Sequence, residues 1–334
     1  MPDPPVVAVV GATGAAGGTL LRVLEDRLFP IGGFRALASA RSAGAVVRFR
    51  DHDVEVAEVA DTALRGADVV FFAAGAATSR RFAPLVAQGG GIAVDKSSAY
   101  RLDPAVPLVV PEVNATALAS HAGIVANPNC VTIPLAVVVA PLHARFGLCH
   151  LTVATYQAAS GGGRALAAEL AEQERDDAHG RPPCRVVYPH VLHGNVVPGG
   201  WAMVGDDTEE ETKVTAELRR VLDLPDLPIG VTTVRVPVAV GHAAALWIEL
   251  EQPVGAGEAR RVLAASPGVL VVDDPATQHY PTPRAVAGCD EVHVGRIRAD
   301  RSRENGLALF LAADNLRKGA ATNAVQVAEL LLRG

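Results

Sequence analysis

Of the four cysteines in this chain, Cys130, Cys149, Cys184 and Cys289, no two form a CxxC pair. Zinc centres draw on such close pairs, so no metal site is expected. Four thiols in 334 residues do not read as a disulfide framework, and a reducing, cytoplasmic compartment is expected. Long apolar runs are missing too. The longest, VTIPLAVVVAPL at 131–142, has 12 residues and two prolines, against the roughly 20 that a membrane-spanning helix needs. The opening residues MPDPPVVAVVGATG carry no basic cluster, so no secretory signal is expected. Lys and Arg are scattered rather than clustered, and the net charge is −6. Neither a nucleic-acid groove nor a contact with an anionic membrane is expected. Aromatics make up only 4%. Ala, Val, Leu and Gly must therefore fill the interior, as they do where parallel strands are buried on both faces.

What is present is an alternation. VVAVVG (6–11), RALAS (35–39), ADVVFFAAG (67–75), GIAVDKSS (91–98) and GIVANPNC (123–130) read as strands. AAGGTLLRVLEDR (15–27) and FAPLVAQGG (82–90) read as helices between them. This predicts a doubly wound parallel sheet, in which ligands collect at the carboxyl ends of strands. The length predicts a second domain, and the texture changes after Cys130. LCHLTVATYQAASGGG (148–163) reads as a long strand feeding a flexible glycine loop. VTTVRVPVAVGHAAALWIELEQPV (231–254) reads as two long strands around a Gly–His turn. EVHVGRIRAD and GLALFLAADN read as antiparallel partners joined near 300–305. A broad sheet with few helices is expected there, suited to a subunit interface, with a final amphipathic helix in KGAATNAVQVAELLLRG. The segment 172–200 has no clear period.

Several motifs carry chemistry. GATGAAGG (11–18) sets glycines between a strand and a helix. Gly11 permits the tight turn, Gly14 lets backbone approach a phosphate, and Gly17 allows close helix packing. Thr13, Ala15 and Ala16 belong to the same cofactor loop. After the second strand, where an acidic residue would hold a ribose hydroxyl, stand Ser39, Arg41 and Ser42. A cation and two hydroxyls suit a 2′-phosphate, which favours NADP over NAD. ANPNC places Cys130 after a turn and before a run that opens as a helix with Pro134 in its first turn. A helix N-terminus favours the thiolate, although these residues taken alone fit an inert core thiol better. Gln157 ends a strand and can orient a substrate amide or carboxylate. Glu210 and Lys213 are three apart, on one helical face, and fit a surface ion pair as well as a site. Arg235 lies in an otherwise apolar run and needs an anion or a partner, and His242 follows at a turn.

Together these segments resemble the aspartate-β-semialdehyde dehydrogenase family. The matching pieces are VAVVGATGAAGG, ASARSAG, FFAAG, DKSSAYRLDPAVPLVVPEVN, ANPNC, YQAASGGG, EEETK, VRVPVAVGH, VGRIRAD and DNLRKGAATNAVQVAE, in the family's order. The resemblance implies a Rossmann-type domain over 1–128, completed by the C-terminal helix 315–334. It implies an α+β catalytic and dimerisation domain with a large mixed sheet over 129–314, in a homodimer or homotetramer. The implied reaction is reductive dephosphorylation of L-aspartyl-4-phosphate by NADPH, yielding aspartate semialdehyde and phosphate. Cys130 would be the nucleophile, His242 the acid/base and Gln157 an orienting group. Arg235 would take the substrate α-carboxylate and Glu210 its ammonium. Arg101, Lys213 and the neighbouring Asn129 would hold the phosphate. Gly75, Ser160, Gly161 and Asn315 would serve the cofactor. The sequence departs from the family pattern at Lys96, at Val131 and Pro134 beside the thiol, and at Ala243 after the histidine. A paralogue acting on a related acyl phosphate, such as N-acetyl-glutamyl phosphate, is the competing reading.

Overall fold

The structure, a computed structural model, describes residues 3–333. Met1, Pro2 and Gly334, the outermost residues of the expected first domain, lie outside the described residues. The chain divides into two compact units. One runs to Asn129 and resumes at Ala320; the other spans Cys130–Gly319.

In the first unit VVAVV forms β1 (Val6–Val10). Its side chains alternate between two apolar layers, Val7 and Val9 on one face, Ala8 and Val10 on the other. Burial on both faces is why the run has no polar interruption. Five more strands join it in one sheet: β2 (Gly33–Ala38), β3 (Ala57–Glu58), β4 (Val69–Phe72), β5 (Ile92–Asp95) and β6 (Ile124–Ala126). All run parallel, in the order β3-β2-β1-β4-β5-β6. This is the expected doubly wound sheet. Helix α1 (Ala15–Asp26) packs Leu20 and Leu24 against the Val7 face. The C-terminal helix Thr322–Arg333 joins it there through Val325 and Ala328, and Arg27 grips Glu329 with two hydrogen bonds of 2.8 and 2.6 Å. On the other face α2 (Ala76–Gln88) inserts Phe82, Ala83 and Val86. It starts before the expected Phe82, because its first turns are mostly polar or small and give no apolar period.

The second unit opens with α3 (Thr132–Phe146). Residues 131–139 are all buried, as befits a helix apolar on every side. The strands of its main sheet are β7 (Leu148–Gln157), β8 (Val197–Pro198), β9 (Ile229–Arg235), β10 (His242–Leu250), β11 (Val269–Val271), β12 (Val292–Asp300) and β13 (Gly306–Ala313). They form one sheet in the order β8-β9-β7-β10-β13-β12-β11. β9 runs parallel to β7 and β11 to β12, and the other pairs are antiparallel. The sheet is therefore mixed, and β12 and β13 are the antiparallel partners anticipated.

Two expectations need correction. The strands on either side of the Gly–His turn are not neighbours, because β7 lies between β9 and β10. The connecting residues bond to the exit of β7: Val236 donates to the Gln157 carbonyl, and Ala159 donates to that of Val238. The unit also holds more helix than its texture implies, in α4 (Arg164–Ala178), α5 (Glu209–Val221) and α6 (Ala256–Ala264). In α4 two of the four buried residues are polar, Glu169 and Gln173 beside Leu166 and Leu170, so its apolar stripe is too thin to read. Among the described residues no helix is long and apolar enough to cross a membrane.

Candidate active site

In the first unit the glycine loop closes the carboxyl end of β1. Gly11 has φ +89°, and a Cβ there would stand 2.7 Å from the Ala73 carbonyl oxygen at the end of β4. No side chain fits. A Cβ on Gly17 would lie 2.1 Å from the Gly11 oxygen, so α1 packs directly on the loop. Gly14 is the N-cap of α1 and has no side-chain cap; a Cβ there would approach only the Gly11 oxygen, at 3.3 Å. Backbone amides at a bare helix N-terminus, beside the point where strand order reverses, fit a pyrophosphate. Thr13, Ala15 and Ala16 flank that terminus half-buried. Gly75 caps α2 in the same way, with open space where a Cβ would stand. Ser39 and Arg41 are exposed in the turn after β2, and Ser42 is half-buried there. Arg101 donates to the carbonyls of Asn127 and Lys96 at 3.0 and 2.7 Å. Asn129 is buried.

In the second unit several of the singled-out residues converge. Cys130 stands just before α3, half-buried. Its Sγ is 3.4 Å from Nε2 of His242, the first residue of β10. Nδ1 of the same ring accepts the backbone N–H of Ala158 at 3.0 Å. Burial, reinforced by the charge of Arg235, pushes the imidazole down to about 3, so the ring is neutral near pH 7. A neutral ring that accepts at Nδ1 carries its proton on Nε2, and that N–H faces the sulfur.

Arg235 ends β9, opposite Gln157 in register. It is 3% exposed. One Nη donates to the Ala158 carbonyl at 2.7 Å, and Trp201 lies under the guanidinium, 4.7 Å from its centre. Its Nε is buried and has no hydrogen-bond partner among the described residues. Ala158 thus serves the imidazole with its N–H and the guanidinium with its carbonyl. Gly161 lies against both: a Cβ there would come within 3.0 Å of Arg235 Nη1 and His242 Nε2. The expected flexible glycine loop is a tight turn, Ala159–Gly162, packed on this pair. Ser160 bonds to Asn315, whose side-chain oxygen also accepts the N–H of Gly241 at 2.9 Å. Gln157 is buried and its amide donates to Glu210 at 3.3 Å. Glu210 therefore faces inward, while Lys213 pairs with Glu209 one turn back.

Sequence reasoning missed Ala158, which acts through its backbone. It also missed Trp201, although an indole among glycines in a chain with two tryptophans was an available signal.

Residues 6–121 match the family model for the semialdehyde dehydrogenase NAD-binding domain, and residues 139–318 the one for the semialdehyde dehydrogenase dimerisation domain. The chain is 43% identical to aspartate-semialdehyde dehydrogenase of Synechocystis, over 99% of this chain and 98% of that one. It is 42% identical to the Aquifex aeolicus enzyme of that name, over 98% of each. It also superposes on the crystal structure of aspartate semialdehyde dehydrogenase II from Vibrio cholerae complexed with ASA. The TM-score there is 0.95, with 38% identity, covering 99% of this chain and 98% of that one. The chain belongs to the aspartate-semialdehyde dehydrogenase family of enzymes.

Proposed function

We propose that this protein reduces L-aspartyl-4-phosphate to L-aspartate 4-semialdehyde with NADPH, releasing phosphate. This is a step toward lysine, threonine, methionine and isoleucine. One observation carries the reading: a half-buried thiol 3.4 Å from an imidazole N–H, beside a buried guanidinium whose Nε has no partner among the described residues. A nucleophile, a hydrogen-bond donor and a carboxylate receptor are what an acyl phosphate with an α-carboxylate requires.

The thiol proton leaves to solvent, which reaches Cys130. The helix N-terminus and the His242 N–H stabilise the thiolate. Sulfur attacks the acyl carbon, the C–O bond to phosphate breaks, and a thioester forms on Cys130. When bound, the cofactor supplies the hydride that brings the thioester to the aldehyde level. The C–S bond then breaks with its electrons returning to sulfur. No proton need be transferred in that step. His242 instead donates a hydrogen bond, first to the developing oxyanion and then to the departing sulfur. Gln157 orients the acyl group, and Glu210 takes the substrate ammonium. By the family pattern Arg101, Asn129 and Lys213 take the phosphate.

The glycine loop, Gly75, Ser160, Gly161 and Asn315 would hold the cofactor. Exposed Arg41 with Ser39 and Ser42, and no acidic residue in that turn, favour NADP. The match to a dimerisation domain supports a homodimer or a pair of dimers built on the second unit, and the site calls for a cytoplasmic, reducing environment. An N-acetylated substrate would present Glu210 with an amide in place of an ammonium, which counts against the N-acetyl-glutamyl phosphate reading.

A substrate panel tests this. NADP⁺ reduction is followed with aspartate, glutamate and N-acetylglutamate semialdehydes, each with phosphate. The expected result is a rate on the first that exceeds the others by at least about tenfold, with NADP⁺ preferred to NAD⁺. No rate on aspartate semialdehyde would overturn the assignment.

A further inference from the structure

Segment 179–201 is nearly all irregular; its only strand is β8. Such a stretch must find partners for its backbone elsewhere. It finds them on the buried face of α4, at Glu169 and Gln173, four residues apart. The Glu169 carboxylate accepts the backbone N–H groups of Val186, Val187 and Tyr188. The Gln173 side chain accepts those of Leu192 and His193 and donates to the Cys184 carbonyl. Two side chains thus hold five N–H groups and one carbonyl of the segment.

What they hold in place faces Arg235. Tyr188 is buried, and its hydroxyl donates to the Gly199 carbonyl at 2.7 Å. Gly200 packs on that hydroxyl: a Cβ there would stand 1.9 Å from it. The next residue is Trp201, whose ring lies 4.7 Å from the Arg235 guanidinium centre. β8 pairs Val197 with Arg235 itself. The segment therefore closes on Arg235 from two sides, through Trp201 and through β8, with the Ala158 carbonyl as a further contact.

We propose that Trp201 is a specificity-determining residue, and that Glu169 and Gln173 are positioning residues acting through it. The indole fixes the plane of the guanidinium so that its Nε meets the carboxylate of a short amino-acid aldehyde, and α4 fixes the indole. This rests on the reading of Arg235 as the carboxylate receptor.

The test measures Trp201→Phe, Trp201→Leu and Glu169→Gln in the oxidative direction, with KM taken separately for aspartate semialdehyde and for phosphate. Trp201→Leu is expected to raise KM for the semialdehyde about tenfold, with Trp201→Phe between it and the wild type. KM for phosphate should stay unchanged, and kcat should fall less than KM rises. Glu169→Gln should repeat the pattern of Trp201→Leu at reduced size. Equal rises in both KM values, or none, would overturn the inference while leaving the enzyme reading intact. A wild type inactive on aspartate semialdehyde would overturn both.

Discussion

Cys130→Ala should lower kcat by roughly 10⁴-fold or more, with NADPH affinity by calorimetry unchanged. No other group can take over. Cys130 is the thiol at the entrance to α3, and it faces the His242 N–H. The other three thiols are held away from ionisation. Burial pushes each upward, and carboxylates add to it: Glu251 and Glu249 at Cys149, Glu172 at Cys184, and Glu291 at Cys289. The thiolate is the attacking form, so these three are poor nucleophiles near neutrality. A brief pulse of iodoacetamide should therefore label Cys130 first, and loss of activity should track that label. Activity that survives full labelling of Cys130 would contradict the assignment.

Replacing His242 should have the second-largest effect. Removing one preorganised donor from a developing oxyanion costs about 10²–10³ in kcat, so His242→Ala should fall by that amount. The tautomer makes a sharper claim. Because Ala158 occupies Nδ1, the ring acts as a donor through Nε2. Gln can also place an N–H there, so His242→Gln should retain more activity than His242→Ala. A ring that must accept and return a proton would leave both variants equally inactive. The pH dependence separates the same alternatives. The imidazole is depressed to about 3, so it stays neutral until the pH falls close to that value. From about pH 5 to pH 8 no histidine limb should appear in the kcat profile. A limb near 6.5 that disappears in His242→Gln would contradict the donor role.

The parts of this protein that were readable from sequence share a cause. β1 is buried on both faces, so its apolar run is unbroken. The glycines at 11, 14 and 17 stand where a Cβ has little or no room. The residues at 39–42 sit at a strand end where the fold leaves few alternatives. The mixed sheet was readable as strands but not as an order, since a turn motif does not show that β7 will insert between β9 and β10. What was hidden works through backbone or through buried polar groups. Ala158 has no side-chain signal at all. Glu169 and Gln173 lie in a strongly charged helix and look like part of a solvated face. Only the irregular segment they hold explains their burial, and that segment has no period to read. Glu210 and Lys213 show the same limit: spacing put them on one side of α5, but not that Glu210 would turn inward to Gln157 while Lys213 closes on Glu209.

The proposed reaction runs through a covalent acyl intermediate on Cys130. Mixing the enzyme with aspartate semialdehyde and NADP⁺ in the absence of phosphate traps it. A burst of about one NADPH per chain is expected, and it then stops because the thioester has no acceptor. Peptide mapping should place the acyl group on Cys130, and added phosphate should restore continuous turnover. Steady NADPH formation without phosphate, or a burst whose adduct maps to another residue, would contradict it.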